Sequence, residues 1–155
     1  MTTAGGHPYS VALNIDAPPS SDYVLELAEA FAQIAALLNH QTRHHEALEY
    51  PAQADQLIRD VTLAVSRLPQ ILTQAGRWLE AERDAGRIDV AAGDFKGRSG
   101  AAVAAARIRL DIAALKAEEL QEALDYALKV TRDLAAAGDA GETGRGRDDQ
   151  GHLID

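Results

Sequence analysis

The sequence contains no cysteine, which excludes disulfide bonds, cysteine-ligated zinc sites and thiol catalysis. Aromatic residues are also scarce, at 5% of the chain. No apolar run approaches the roughly 18 residues of a membrane-spanning helix. The first residues lack the basic and apolar regions of a signal peptide. We therefore expect a cytoplasmic protein that has no membrane partner.

Positive charge is in short supply as well. The chain has 15 Lys and Arg against 24 Asp and Glu, and its formal net charge is -9. Proteins that bind nucleic acid through its phosphates need a clustered basic surface, because counterion release supplies most of the affinity. The sequence shows no such cluster, so we expect no direct nucleic-acid partner.

Alanine and leucine supply much of the hydrophobic content, which is 46% of the chain. A composition of this kind, poor in β-branched residues, favours helices through intrinsic propensity. The length of 155 residues fits one domain with a core of its own once the ends are set aside. The composition thus predicts an all-α protein.

Both ends of the chain lack helical periodicity. Residues 1–20 hold glycines and prolines that break helices, and apolar and polar residues alternate from Tyr9 to Ile15. We interpret residues 1–20 as a flexible N-terminal arm whose extended part docks on an apolar surface. Residues 138–155 are rich in Gly, Asp and Arg, which predicts a disordered acidic tail.

Three segments between these ends carry apolar residues at heptad spacing. The first is predicted to begin after Ser20, which would cap the helix, and to end near Glu49. The third is predicted to run from Ser99 to about Ala137. Its heptad seam consists of Val103, Ala106, Leu110, Ala113, Ala117, Leu120, Leu124, Ala127, Thr131 and Leu134.

The second segment is predicted to begin at Pro51, a residue suited to the first turn of a helix, and to end near Gly86. Pro69 falls in its middle without interrupting the apolar phase, which indicates a kinked helix or two helices that meet without a loop. Trp78 lies on the predicted seam, so we expect it to pack in the core. A close approach of another helix would explain Gly76 beside it.

These three seams are best buried against one another. Short connections make sequential helices antiparallel neighbours, and packing three seams together covers all of them in one core. The predicted fold is therefore an antiparallel three-helix bundle over residues 21–137, with long heptad-patterned helices and a kink at Pro69.

The third helix carries a second apolar stripe on the face opposite its seam. This stripe contains Ala105, Ile108, Ile112 and Leu115, preceded by Ala101. A helix that is apolar on two sides is normally covered on both. Either the N-terminal arm or another protein, including a second copy of this chain, would cover the stripe, and the sequence leaves both coverings open.

Three histidines form the densest cluster of titratable residues. His40 and His44 are four residues apart, so they share a helix face and are weak candidates for metal binding. Two ligands are too few, and the Glu-x-x-His pairs of helical di-iron sites are missing. The simpler interpretation leaves His40 and His44 in solvent and places His45 beside Gln41 in a polar layer of the core.

No catalytic residue or cofactor is predicted. The carboxylates at the end of the second helix and along the third are expected to be solvated; they are Glu80, Glu82, Asp84, Glu118, Glu119, Glu122 and Asp125. The glycine-rich segment 93–100 lacks the order of residues that defines a phosphate-binding loop.

The runs Leu38–His45, Tyr50–Pro51, Arg67–Gln70 and Trp78–Leu79 resemble those of short all-helical proteins of actinobacteria, some of them linked to mobile elements. The resemblance covers about residues 20–137. It implies an all-helical fold and an actinobacterial source, and it implies no particular activity.

The sequence therefore predicts a non-enzymatic helical module that acts through its helix faces as a protein-interaction or scaffold protein. The expected partner is either a second copy of the chain, as in a homodimer, or another protein, and it would bind through Ala105, Ile108, Ile112 and Leu115. The alternative is a bundle that binds a small molecule or metal on the His40/His44 face.

Overall fold

The computed structural model describes residue 14 and residues 16–134 of the chain. These residues form helix α1 (Ser21–Gln41), a 3-10 helix (His45–Ala47), helix α2 (Pro51–Val65), helix α3 (Leu68–Asp84) and helix α4 (Ser99–Thr131). None of them forms a strand, so the predicted all-α class is confirmed. The predicted arm segment Tyr9–Ile15, apart from its residue 14, and the predicted tail 138–155 lie outside the described residues.

The chain divides into two compact units, with the boundary in sequence between Glu49 and Tyr50. In the first unit, Ser20 caps α1 as predicted, because its Oγ accepts a hydrogen bond of 3.1 Å from the backbone N–H of Tyr23. Asp22 in the first turn places negative charge at the positive end of the helix dipole.

The C-terminal end of α1 differs from the prediction, which placed it near Glu49. The helix ends at Gln41, where the Thr42 hydroxyl donates a 2.9 Å hydrogen bond to the carbonyl oxygen of Leu38. A side chain that competes in this way for helix carbonyls favours termination. His45 therefore lies in the 3-10 helix and is exposed, as Gln41 is, so the predicted polar core layer is wrong.

In the second unit, α2 and α3 follow one another with a bend at Ser66–Arg67 instead of a loop. Pro69 has no backbone N–H, so it cannot continue the helical hydrogen bonding to the carbonyl of Val65. Arg67 instead donates its backbone N–H to the carbonyl of Ala64, 3.2 Å away, which is the tighter spacing of a 3-10 turn. The predicted kink is confirmed, and it lies two to three residues before the proline.

Helix α3 ends at a glycine, as predicted. Gly86 has φ +69°, a conformation that L side chains rarely adopt. Its N–H donates to the carbonyl of Arg83 at 2.9 Å, and the N–H of Arg87 donates to the carbonyl of Glu82 at 2.9 Å. These two bonds are those of a Schellman cap, which satisfies the last carbonyls of the helix.

Helix α4 packs against both α3 and α2. Near its C-terminal end, Thr131 bonds to Asp55 in the first turns of α2; near its N-terminal end, Arg107 contacts Thr73 and Glu80 of α3. Because of these contacts, α4 runs antiparallel to α2 and α3. They do not involve α1, so the three-helix bundle stays a prediction.

The buried face of α4 is only partly the one predicted from its heptads. Val103 and Ala117 are buried as expected, whereas Ala113 and Leu120 are exposed and Ala114 is buried in their place. Alanine stands at both 113 and 114, so hydrophobicity alone does not choose between the two registers. Arg107 and residues 121 and 128, which share the heptad position of the buried Ala114, are partly buried on the same side of α4.

Gly76 of α3 lies against the side chain of Arg107 in α4. It is buried, and a Cβ atom added to it would lie 2.8 Å from Cδ of Arg107. The Arg107 guanidinium lies 3.5 Å from a carboxylate oxygen of Glu80 and donates a 3.1 Å hydrogen bond to Asp111. The absence of a side chain at Gly76 thus leaves room for Arg107 of α4, while a close approach of the helix backbones themselves stays a prediction. Trp78, in contrast, is exposed, so its predicted place in the core is wrong.

We predict that Gly76→Ala destabilises the protein by about 1 kcal/mol, because the added methyl group displaces Arg107 from its partners. In an Arg107→Ala background the same change should stabilise by up to about 1 kcal/mol, which is the helix-propensity advantage of alanine. Urea unfolding followed by circular dichroism measures both effects.

Gly100→Ala is the matched control, since Gly100 is also helical and has open space around its Cα. That change should not destabilise the protein. If Gly76→Ala stabilised the otherwise unchanged chain, the contact between Gly76 and Arg107 would be contradicted.

The second contact, between Asp55 and Thr131, makes stability depend on pH. Thr131 Oγ1 donates a 2.8 Å hydrogen bond to the carboxylate, and this bond, with help from Arg59, holds the pKa of Asp55 below its usual value of 3.8. A carboxyl group whose pKa is lower in the folded than in the unfolded state stabilises the folded state at pH values above its unfolded-state pKa. That stabilisation is lost as the pH falls through the lower folded-state pKa.

We predict that Thr131→Val lowers the urea midpoint at pH 7 and that the difference from the parent protein shrinks at pH 2.5. That pH lies below the unfolded-state pKa of an aspartate, so the stabilisation from the depressed pKa of Asp55 is already declining there. Thr131→Ser, which keeps the hydroxyl, should behave like the parent at both pH values. A difference between parent and valine variant that is as large at pH 2.5 as at pH 7 would argue against the role of the carboxylate.

Candidate interaction surface

The second apolar stripe of α4 lies on the surface of the second unit. Ile108, Ile112 and Leu115 are 58%, 42% and 58% exposed, while Ala105 is partly buried. Successive residues of a helix are separated by roughly 100°, so Ile112 projects about 200° away from the buried Ala114. The stripe therefore faces away from α2 and α3. We call Ala105, Ile108, Ile112 and Leu115 the α4 apolar face.

Charged residues of opposite sign border the two sides of the α4 apolar face. Arg109 and Lys116 follow one edge, and Asp111 and Glu118 follow the other. Asp111 is already held by Arg107 of its own helix, with a distance of 3.0 Å between Nε and the carboxylate. Lys116 pairs with Glu119 at 2.7 Å, an exposed contact that contributes little and rearranges readily. The face is thus apolar in its centre, basic on one side and acidic on the other.

The histidine pair lies at the end of α1. His40 is in its last turn, His44 follows two residues after the Thr42 cap, and their ring centroids are 5.7 Å apart in an edge-to-face contact. Within residues 14 and 16–134, no group of three His, Asp or Glu side chains is placed to share a metal ion. This part of the chain therefore brings together only the two ligands that the sequence identified.

The acidic residues divide into two groups. Those of α4 are exposed, as predicted; they are Glu118, Glu119, Glu122 and Asp125. Glu80 and Glu82 were expected in solvent but are partly buried, because each pairs with an arginine. Hydrogen bonding to Arg87 holds the pKa of Glu82 below its usual value. These carboxylates thus serve as ion-pair partners near the end of α3.

Sequence reasoning missed a third surface, on the outer side of α2 and α3, where Leu63, Ile71 and Trp78 are exposed. The sequence does contain a signal for it: residues 61–79 include no Asp or Glu, although the chain has 24 of them. The heptad phase of the second segment placed Trp78 on the predicted seam, so its exposure was not expected.

Comparison with protein-family models, curated proteins and solved structures finds no match to this chain. Among the described helices, none combines the length and the apolar character needed to cross a membrane. Function has to be argued from the surfaces of the molecule.

We predict that equimolar Zn²⁺ leaves the thermal unfolding midpoint unchanged, because two exposed imidazoles without a third ligand hold zinc weakly. The measurement is thermal unfolding by circular dichroism with and without the metal, on the parent chain and on His40→Ala/His44→Ala. A midpoint that rises with zinc in the parent and not in the double variant would favour the metal-binding function instead.

Proposed function

We propose that this chain is a non-enzymatic protein-interaction module that self-associates through the α4 apolar face, on a scaffold in which α1 completes an antiparallel three-helix bundle. The main observation that supports this proposal is the exposure of Ile108, Ile112 and Leu115. Soluble monomers expose single apolar residues freely, but contiguous apolar patches commonly mark interaction sites. Covering these side chains would contribute roughly 25 cal/mol for each Å² removed from water.

A second copy of the chain fits the charges at the edges of this face. In a parallel pair of helices, the residues bordering the seam on one helix face those bordering the opposite side on the other. Heptad geometry then places Asp111 of one copy opposite Lys116 of the other. The basic edge of each α4 would meet the acidic edge of its partner, so the face is complementary to itself.

The size of the face limits the strength of the association. Stable interfaces bury about 1,200–2,000 Å² in total, which three large side chains and an alanine do not supply. We therefore expect a dimer that dissociates on dilution, with a dissociation constant on the order of micromolar. Such an association suits a scaffold whose assembly depends on concentration.

The test is Ile112→Glu, which places a charge in the centre of the face and should shift the chain to a monomer. Sedimentation velocity over a concentration series measures the mass, and circular dichroism checks that the helices are retained. Because Ile112 is on the far side of α4 from its seam, the unfolding midpoint of the monomer should change little.

Val130→Glu is the matched control: it adds the same charge to an exposed position of α4 about 27 Å further along the helix. It should leave self-association unchanged, whereas Lys116→Glu should weaken it by opposing Asp111. A parent chain that remains monomeric at the highest concentrations would overturn the proposal.

A further inference from the structure

The outer side of α2 and α3 carries a continuous row of exposed residues. It contains Leu63 of α2, before the bend, and Arg67, Ile71, Gln74 and Trp78 at or after it. The last four follow one another at spacings of four, three and four, which keeps them on one side of α3. The three apolar members are 58%, 55% and 62% exposed, in chain order. We call these five residues the outer stripe. Its part from Arg67 to Trp78 extends about 17 Å along α3.

The outer stripe is separate from every surface described above. Trp78 is two residues from Gly76, so it projects about 200° away from the contact between α3 and α4. The α4 apolar face lies on the opposite side of the helix pair, where Ile112 points away from α3. A ligand on the outer stripe therefore does not depend on self-association.

The outer stripe is locally basic in an acidic protein. Arg67 and Arg77 are the only charged residues between residues 61 and 79, and both are exposed. Arg83, Arg87 and Arg107 each pair with a carboxylate. Within the described part of the chain, Arg67 and Arg77 make no ion pair, so their charges are open to a ligand.

We propose that the outer stripe binds an acidic amphipathic helix of another protein. Apolar side chains of that helix would pack between Leu63, Ile71 and Trp78, and its flanking carboxylates would reach Arg67 and Arg77. Spacings of three and four residues match those at which a second helix presents its side chains. Tryptophan and arginine are also the residue types that dominate interface energies.

The charge of the stripe distinguishes this ligand from other occupants. Two open arginines are too few to follow a phosphate backbone, whose binding requires several phosphate contacts. The α4 carboxylates Glu118 and Glu122 flank a single large apolar residue, Leu120, so a second copy offers only one such side chain there. An acidic helix with its own apolar seam supplies both requirements.

Trp78 provides a direct measurement, because it is the only tryptophan in the chain. The probe is a synthetic peptide of about three heptads with Leu at the seam positions and Glu at the flanking ones. A companion peptide, made without tryptophan as well, carries Lys in place of Glu. Titration of the full chain with the Glu peptide should shift the Trp78 emission to shorter wavelength, and the Lys peptide should bind at least about 10-fold more weakly.

The variant Arg67→Glu/Arg77→Glu should reverse this preference, so that the Lys peptide binds more tightly than the Glu peptide. Its matched control is Lys96→Glu/Lys129→Glu, which changes the net charge equally at exposed positions of the same unit that belong neither to the outer stripe nor to the α4 apolar face. The control should retain the preference for Glu to within about 3-fold, since remote charges are screened. Circular dichroism on both variants checks that the helices are retained, as we expect for substitutions at exposed positions.

Three outcomes would overturn the proposal. The first is equal binding of the Glu and Lys peptides to the parent chain. In the second, the Glu peptide has no effect, and the free chain either already shows the emission of a buried indole or changes its Trp78 emission on dilution. Another part of the protein, or a second copy, then covers the stripe. The third is a labelled single-stranded oligonucleotide that binds more tightly than the Glu peptide and loses affinity in Arg67→Glu/Arg77→Glu.

Discussion

The contact between Gly76 and Arg107 determines which sides of the helices remain outside. Because α3 has no side chain at Gly76, the side chain of Arg107 from α4 fits against it, where Glu80 and Asp111 neutralise its charge. With Arg107 facing α3, the buried side of α4 continues through Ala114, one position later than the competing register. This contact thus leaves both the α4 apolar face and the outer stripe facing solvent.

This way of packing produces a thin core. The buried hydrophobic residues of the described chain are small, namely Ala30, Val65, Val103, Ala114 and Ala117, and no large side chain among these residues is fully buried. Small side chains let helices approach closely but leave little apolar area between them. The large apolar residues consequently lie on outer surfaces. The proposed interactions would cover part of this exposed apolar area.

Local signals in the sequence predicted the structure better than helix phase did. Ser20, Pro69 and Gly86 act through their own backbone or side chain, so the cap, the bend and the Schellman motif were predictable from each residue alone. The seam of α4 was not, because Ala113 and Ala114 are equally apolar and only the partner helix selects between them. Likewise, Trp78 was expected in the core because it lies on the predicted seam, but heptad phase did not separate it from Leu79, which is partly buried beside it.

The two proposed surfaces differ in the charge of their edges, and this separates their roles. The α4 apolar face has one basic and one acidic edge, so it complements a copy of itself; the outer stripe has open cations only, so it requires a partner of opposite charge. Since the surfaces lie on opposite sides of the helix pair, occupation of one leaves the other accessible. A dimer formed through α4 would therefore present two outer stripes. A partner carrying two acidic helices would bind such a dimer more tightly than a monomer, because the second contact becomes intramolecular.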